Sequence, residues 1–142
     1  MENNDVLKLI EDVSDVLSLL LELKKKGRFR EALEKIDKTL LEYFQLDSNF
    51  VYSVSEDFFI DALKQNKNLT SQQLSKLAEL LNEQGEILLE QNNLKKSKKV
   101  FKNTLKLYYF LNDDQDFFSF RNMNKMLIIN DKLSRIDVKI EN

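Results

Sequence analysis

Lys95, Lys96, Lys98 and Lys99, followed by Lys102 and Lys106, form the longest run of one charge in the chain. At about 100° per residue, a helix places Lys95, Lys99, Lys102 and Lys106 on one stripe. Such a ridge of ammonium groups can hold phosphate, nucleic acid or an acidic partner. The solvated face of an amphipathic helix carries the same pattern. Phe101, Leu105 and Tyr108 fall on the adjoining face, and Lys98 points nearer to them, where its stem can cover apolar surface. A second basic cluster, Lys24, Lys25, Lys26, Arg28 and Arg30, surrounds Gly27. Helix-end electrostatics accounts for its three lysines without a ligand.

Acid–base or metal chemistry would need other groups. The chain has no histidine and no cysteine, which removes the usual general base, the commonest metal ligand and all thiol chemistry. Asp113, Asp114 and Asp116 cluster at an expected turn, as natural helix caps and weak metal candidates. Asp12 and Asp15 fall on the outer side of the first helix. No phosphate loop or nucleophile motif accompanies them. The reading is a non-enzymatic protein with no catalytic residue, no cofactor and no metal.

The elements that position these residues follow from composition. The 142 residues are 42% hydrophobic and 32% charged, with no proline and two glycines. Strong helix formers with almost no breakers predict an all-α protein, one helical-repeat domain over 1–142. A net charge of −2 argues against bulk attraction to nucleic acid or an anionic membrane. The acidic start, Met1 to Asp5, is unlike a signal peptide, and Leu19-Leu20-Leu21 falls far short of a membrane span. A cytoplasmic location is the expectation.

Apolar spacing predicts helices over 5–26, 29–45, 71–91, 94–112 and 116–136. Asn3 or Asn4 is expected to cap the first, and Gly27 to end it. Within 47–65, Asp47 or Ser48 can start a short helix, and Ser55, ahead of Glu56 and Asp57, can cap another through Leu63. Thr70 and Gln73 form a capping box, with Leu69 and Leu74 placed for a hydrophobic staple. The count is about six antiparallel helices, stacked as three helical hairpins.

Residues 16–40 and 81–105 repeat one helix–turn–helix pattern 65 positions apart. Val16, Leu19, Leu20, Leu23, Phe29, Ala32, Ile36, Thr39 and Leu40 align with Leu81, Gln84, Gly85, Leu88, Leu94, Ser97, Phe101, Thr104 and Leu105. These blocks resemble the tetratricopeptide repeat: Gly85, Ser97 and Thr104, with Ala32 and Thr39, match its small positions, and Phe101 and Ile36 its large ones. Short side chains at a crossing let two helices approach. The blocks depart from the motif at Leu20, where it prefers glycine, in having no closing proline, and in a spacing that is no multiple of 34. The layout is also similar to small bacterial helical proteins with degenerate repeats. The resemblance implies a tetratricopeptide-like array acting as a protein-interaction module or adaptor. Its groove, lined by the first helices of the hairpins, would take a peptide or a helix; Asn82 and Gln84 are candidate polar positions for it, with Gln84 equally suited to packing.

The last predicted helix is apolar around most of its circumference. Phe120, Met123 and Leu127 lie opposite Phe118, Ile129 and Ile136, so one set can pack internally while the other faces a protein partner or a second copy in a homodimer. The candidate partner-binding residues are thus Lys95, Lys99, Lys102 and Lys106, with Phe120, Met123 and Leu127. Binding of nucleic acid or a phosphate-bearing ligand through the lysine ridge is the alternative function.

Overall fold

A computed structural model describes residues 3–65, 69–113 and 119–141, with the backbone alone at 3 and 4. All regular structure among them is helical: α1 Asn3–Lys25, α2 Phe29–Phe44, α3 Ser48–Ser53, α4 Glu56–Gln65, α5 Ser71–Glu90, α6 Leu94–Asp113 and α7 Phe120–Glu141. None is long and apolar enough to cross a membrane. Seven helices lie among the described residues, one more than the expected count of about six, with 47–65 forming two pieces that part at Val54, whose backbone is extended. The expected caps are made there: Asp47 accepts from the Asn49 amide at 2.7 Å, and Ser55 from the Asp57 amide at 3.4 Å. α1 takes in Asn3 and Asn4, expected above as its cap. α7 continues five residues beyond the expected Ile136. No glycine or proline interrupts residues 137–141, and Asp137 is held by Lys98 of α6 at 2.7 Å.

The 65-residue repeat recurs in the turns. Gly27 (φ 70°) and Asn92 (φ 61°) occupy equivalent positions and are both left-handed. Each amide bonds back to a carbonyl three residues earlier, Gly27 to Lys24 at 3.0 Å and Asn92 to Leu89 at 2.9 Å. The next amides, Arg28 and Asn93, reach Leu23 and Leu88, both at 2.9 Å. This ending satisfies the last carbonyls of a helix and turns the chain back on itself. Thr39 and Thr104, also equivalent, are buried and donate to the carbonyls of Lys35 and Val100, both at 2.7 Å.

The start of α5 is fixed by its predicted cap. Gln73 N donates to Thr70 Oγ1 at 3.1 Å and Thr70 N to Gln73 Oε1 at 2.8 Å, while Leu69 and Leu74 both pack into the core. α5 then lies against α1, α2 and α6, and α6 in turn carries α3, α4 and α7. Asn103 of α6 is fully buried and donates to the Val51 carbonyl at 2.9 Å, tying α3 down. A continuous apolar cluster runs through the helices from Leu9 to Ile136.

α5 and α6 approach each other tightly at Gly85. A Cβ there would stand 2.7 Å from Phe101 Cε1, and Ser97 Oγ donates to the Gly85 carbonyl at 2.8 Å. In the first copy Leu20, Ala32 and Ile36 hold the equivalent places, all fully buried.

Gly85→Ala therefore sets two effects against each other. Helix propensity alone would stabilise by about 1 kcal/mol, whereas forcing a methyl into the Phe101 ring costs roughly 1–3 kcal/mol. We expect net destabilisation in urea unfolding, and a smaller loss in a Phe101→Leu background. A stabilised single variant would show that the ring yields freely.

Candidate functional site

α5 is buried on every side but one, and its accessible strip carries Lys76, Glu79, Glu83 and Glu86. From α1, Lys24 Nζ lies 2.6 Å from Glu83 Oε2 and 3.1 Å from Glu86 Oε2. From α7, Lys132 reaches Glu86 Oε1 at 2.6 Å and Lys125 reaches Glu79 Oε1 at 3.3 Å. Lys76 closes on Glu79 Oε2 at 3.1 Å, and Arg121 stands 3.9 Å from Oε1. The acids are seven residues apart, as are their α7 partners, so α7 runs parallel to α5 in a fixed register. The same lysines lie over rings of α6, Lys125 at 6.0 Å from Tyr108 and Lys132 at 5.6 Å from Phe101. α7 thus meets α5 chiefly through long side chains.

Burial pushes the Glu79 and Glu86 carboxyls up, but the ammonium groups beside them (Lys125 and Lys76 for Glu79, Lys132 and Lys24 for Glu86) win and hold both below the usual carboxylate range. For Lys24, burial pulls downward and the hydrogen bond to Glu83 with the charge of Glu86 more than reverses it, leaving it raised. Apolar residues border this floor. Ile10, Leu17 and Leu21 share the Lys24 side of α1, and Ile128 shares the Arg121 side of α7. Leu21 is 51% exposed and Ile128 45%.

Of the two candidate polar positions on α5, Gln84 takes the packing alternative rather than the groove: it is fully buried on the far side of the helix from the acids. Its Nε2 donates to Ser48 Oγ at 3.1 Å and to the Tyr52 hydroxyl at 3.2 Å, and Ser48 Oγ donates to Asp37 Oδ1. Gln84 Oε1 is buried with no partner among the described residues, a state that costs about 1–3 kcal/mol. Burial and the nearby Asp37 charge push the Tyr52 hydroxyl up to about 12, so it stays protonated and can donate. This network escaped the sequence reading. Its signal was a glutamine at the repeat position that holds Leu19 in the first copy, but Ser48, Tyr52 and Asp37 carry no spacing that links them to it. Asn82, the other expected groove position, is half-buried.

The lysine ridge forms as one outward strip of α6. Lys95 and Lys106 are exposed and Lys99 is half-buried. Lys102 pairs with Glu56 of α4 at 3.7 Å on one flank of the strip, and Lys98 pairs with Asp137 of α7 on the other. The other basic cluster is divided: Lys24 joins the acids of α5, while Arg28 and Arg30 pair locally with Glu31 and Glu34. Asp12 accepts from the Tyr43 hydroxyl at 2.6 Å and pairs with Lys8 at 3.2 Å, linking α1 to α2. Asp15 and Asp113 are exposed, and Asp114 and Asp116 lie outside the described residues. No three His, Cys, Asp or Glu among the described residues converge as a metal site.

On α7 the two apolar sets divide between inside and outside. Ile129 and Ile136 are buried, whereas Phe120 (82%), Leu127 (67%) and Met123 are exposed; Phe118 lies outside the described residues.

Two measurements check these assignments. A carboxyl with a lowered folded pKa contributes stability above its ordinary value, 4.5, that is lost as pH falls through the lowered one. A raised lysine contributes below 10.5 and loses it as pH rises through the raised value. Urea midpoints should therefore form a plateau that falls below about pH 4 and above about pH 10.5. Glu86→Gln should flatten both limbs and cost about 1–2 kcal/mol at neutral pH; unchanged limbs would remove the ion pairs from the stability account. On α7, Leu127→Glu should change stability by less than about 0.5 kcal/mol and Ile129→Glu by more than about 3 kcal/mol, as thermal unfolding reads directly.

Comparison of this chain with protein-family models, with curated proteins and with solved structures finds no match.

Proposed function

We propose that the chain is a non-enzymatic protein-interaction module of tetratricopeptide-like helical hairpins. Helices α1, α5 and α7 present one shared face to a partner helix or extended peptide. The observation that carries this reading is the single accessible strip of α5, which lies between Lys24 of α1 and the lysines of α7. Its floor has charges of both signs, and its rims are Leu21 and Ile128. Apolar rims contribute the desolvation that drives association, and a patterned ionic floor sets the orientation of what lies on it. The matched turns at Gly27 and Asn92 support the reading of two related hairpins.

A second reading places nucleic acid or a phosphate-bearing ligand on Lys95, Lys99 and Lys106. What favours it is their alignment on one strip. The acids that flank the strip, Glu56 and Asp137, weaken its field, and the overall charge of −2 gives no bulk attraction.

A photo-crosslinking amino acid placed singly at Leu21, Ile128 and Lys106 in the source cells separates the two. A protein adduct shared by positions 21 and 128, lost on Leu17→Glu and absent at 106, is the expected result. Adducts at 106 alone, carrying nucleic acid and weakening steeply with salt, would establish the second reading. No adduct at 21 or 128 would end the first.

A further inference from the structure

A cleft of about 420 Å³ opens between α2, α3 and the turn from α5 to α6, away from the face shared by α1, α5 and α7. That size is within the roughly 300–1,000 Å³ usual for small-molecule sites. Its polar groups are of opposite sign. Asp37 is oriented by the Ser48 hydroxyl, which is in turn held by the buried Gln84 amide. The Tyr52 hydroxyl also accepts from Gln84, and Tyr52 lines the cleft beside Ser48. Lys96 lies over the Tyr52 ring, 4.8 Å from its centroid, and has no ion pair among the described residues. Leu33, Leu41 and Leu88 supply the apolar wall.

Two of these features are not explained by folding. A fully buried glutamine with a partnerless carbonyl is poorer for stability than an apolar residue of its shape. What the glutamine achieves is to fix two side chains that face the cleft. Lys96 stays on an aromatic face although carboxylates line the same cleft. A ligand with one charge would meet a like charge, at Asp37 and Asp47 or at Lys96. A ligand with both signs a few ångströms apart meets a complement to each.

We propose that this cleft binds a small zwitterion of the α-amino acid class. Its ammonium lies against Asp37, its carboxylate on Lys96 and the Tyr52 hydroxyl, and its side chain against Leu33, Leu41 and Leu88.

The probes are the twenty free L-amino acids, tested singly at about 10 mM, where a millimolar Kd still raises the melting temperature measurably. Two-dimensional NMR locates the response. The expected result is a melting shift from at least one amino acid, with perturbed resonances confined to residues around Tyr52 and Lys96. Asp37→Asn and Lys96→Gln, both at surface positions, should each weaken binding at least about tenfold, as loss of a charge-assisted hydrogen bond does. The amidated and the deaminated forms of the same amino acid should lose as much. Silence from all twenty amino acids would overturn the proposal, as would binding that survives both substitutions. A single-charge analogue that binds as well as its parent would do the same.

Discussion

The approach of α5 to α6 at Gly85 is the constraint on which the rest of the fold depends. α1 and α2 pack on α5, and α3, α4 and α7 pack on α6, so the distance between those two helices sets the position of all the others. Absence of a side chain at Gly85 lets the Phe101 ring lie against the α5 backbone, and Ser97 turns the same contact into a hydrogen bond. Close packing makes such a contact unforgiving, because an interior with few voids cannot absorb even one methyl without displacement. The first copy of the repeat distributes its volume differently, with Leu20, Ala32 and Ile36 fully buried at the equivalent positions. Both copies retain the same left-handed turn. The turn and the small residues are what the two hairpins share; the identity of the large residue at the crossing is exchangeable.

Charge plays two separate roles on opposite faces of α5. On one face, Glu79, Glu83 and Glu86 join helices that apolar packing alone would leave loosely registered, since Lys125 and Lys132 repeat at the same interval as the acids they meet. Partial burial strengthens these pairs relative to those in bulk water, and it penalises a partner left alone. On the other face, Gln84 organises Ser48, Tyr52 and Asp37 without any formal charge of its own. The first arrangement stabilises the array, while the second leaves a buried carbonyl unsatisfied.

The sequence by itself determined the helical class, most helix boundaries, the capping box at Thr70 and the stop at Gly27, because these depend on local propensity and on hydrogen bonds within a few residues. It also determined that the four ridge lysines share a stripe and that Leu127 and Ile129 face opposite ways, since helical periodicity alone fixes those angles. Only the tertiary structure decided which equivalent positions are covered. Leu19 and Gln84 occupy one register in the repeat, yet the leucine is 43% exposed and the glutamine fully buried, because Ser48 and Tyr52 of α3 cover only the second copy. It likewise decided that Lys24 meets Glu83 and Glu86, some sixty residues away, when helix-end electrostatics explained that lysine locally. Periodicity reports which way a side chain points on its own helix. What stands opposite it depends on how distant segments pack, and no local spacing encodes that.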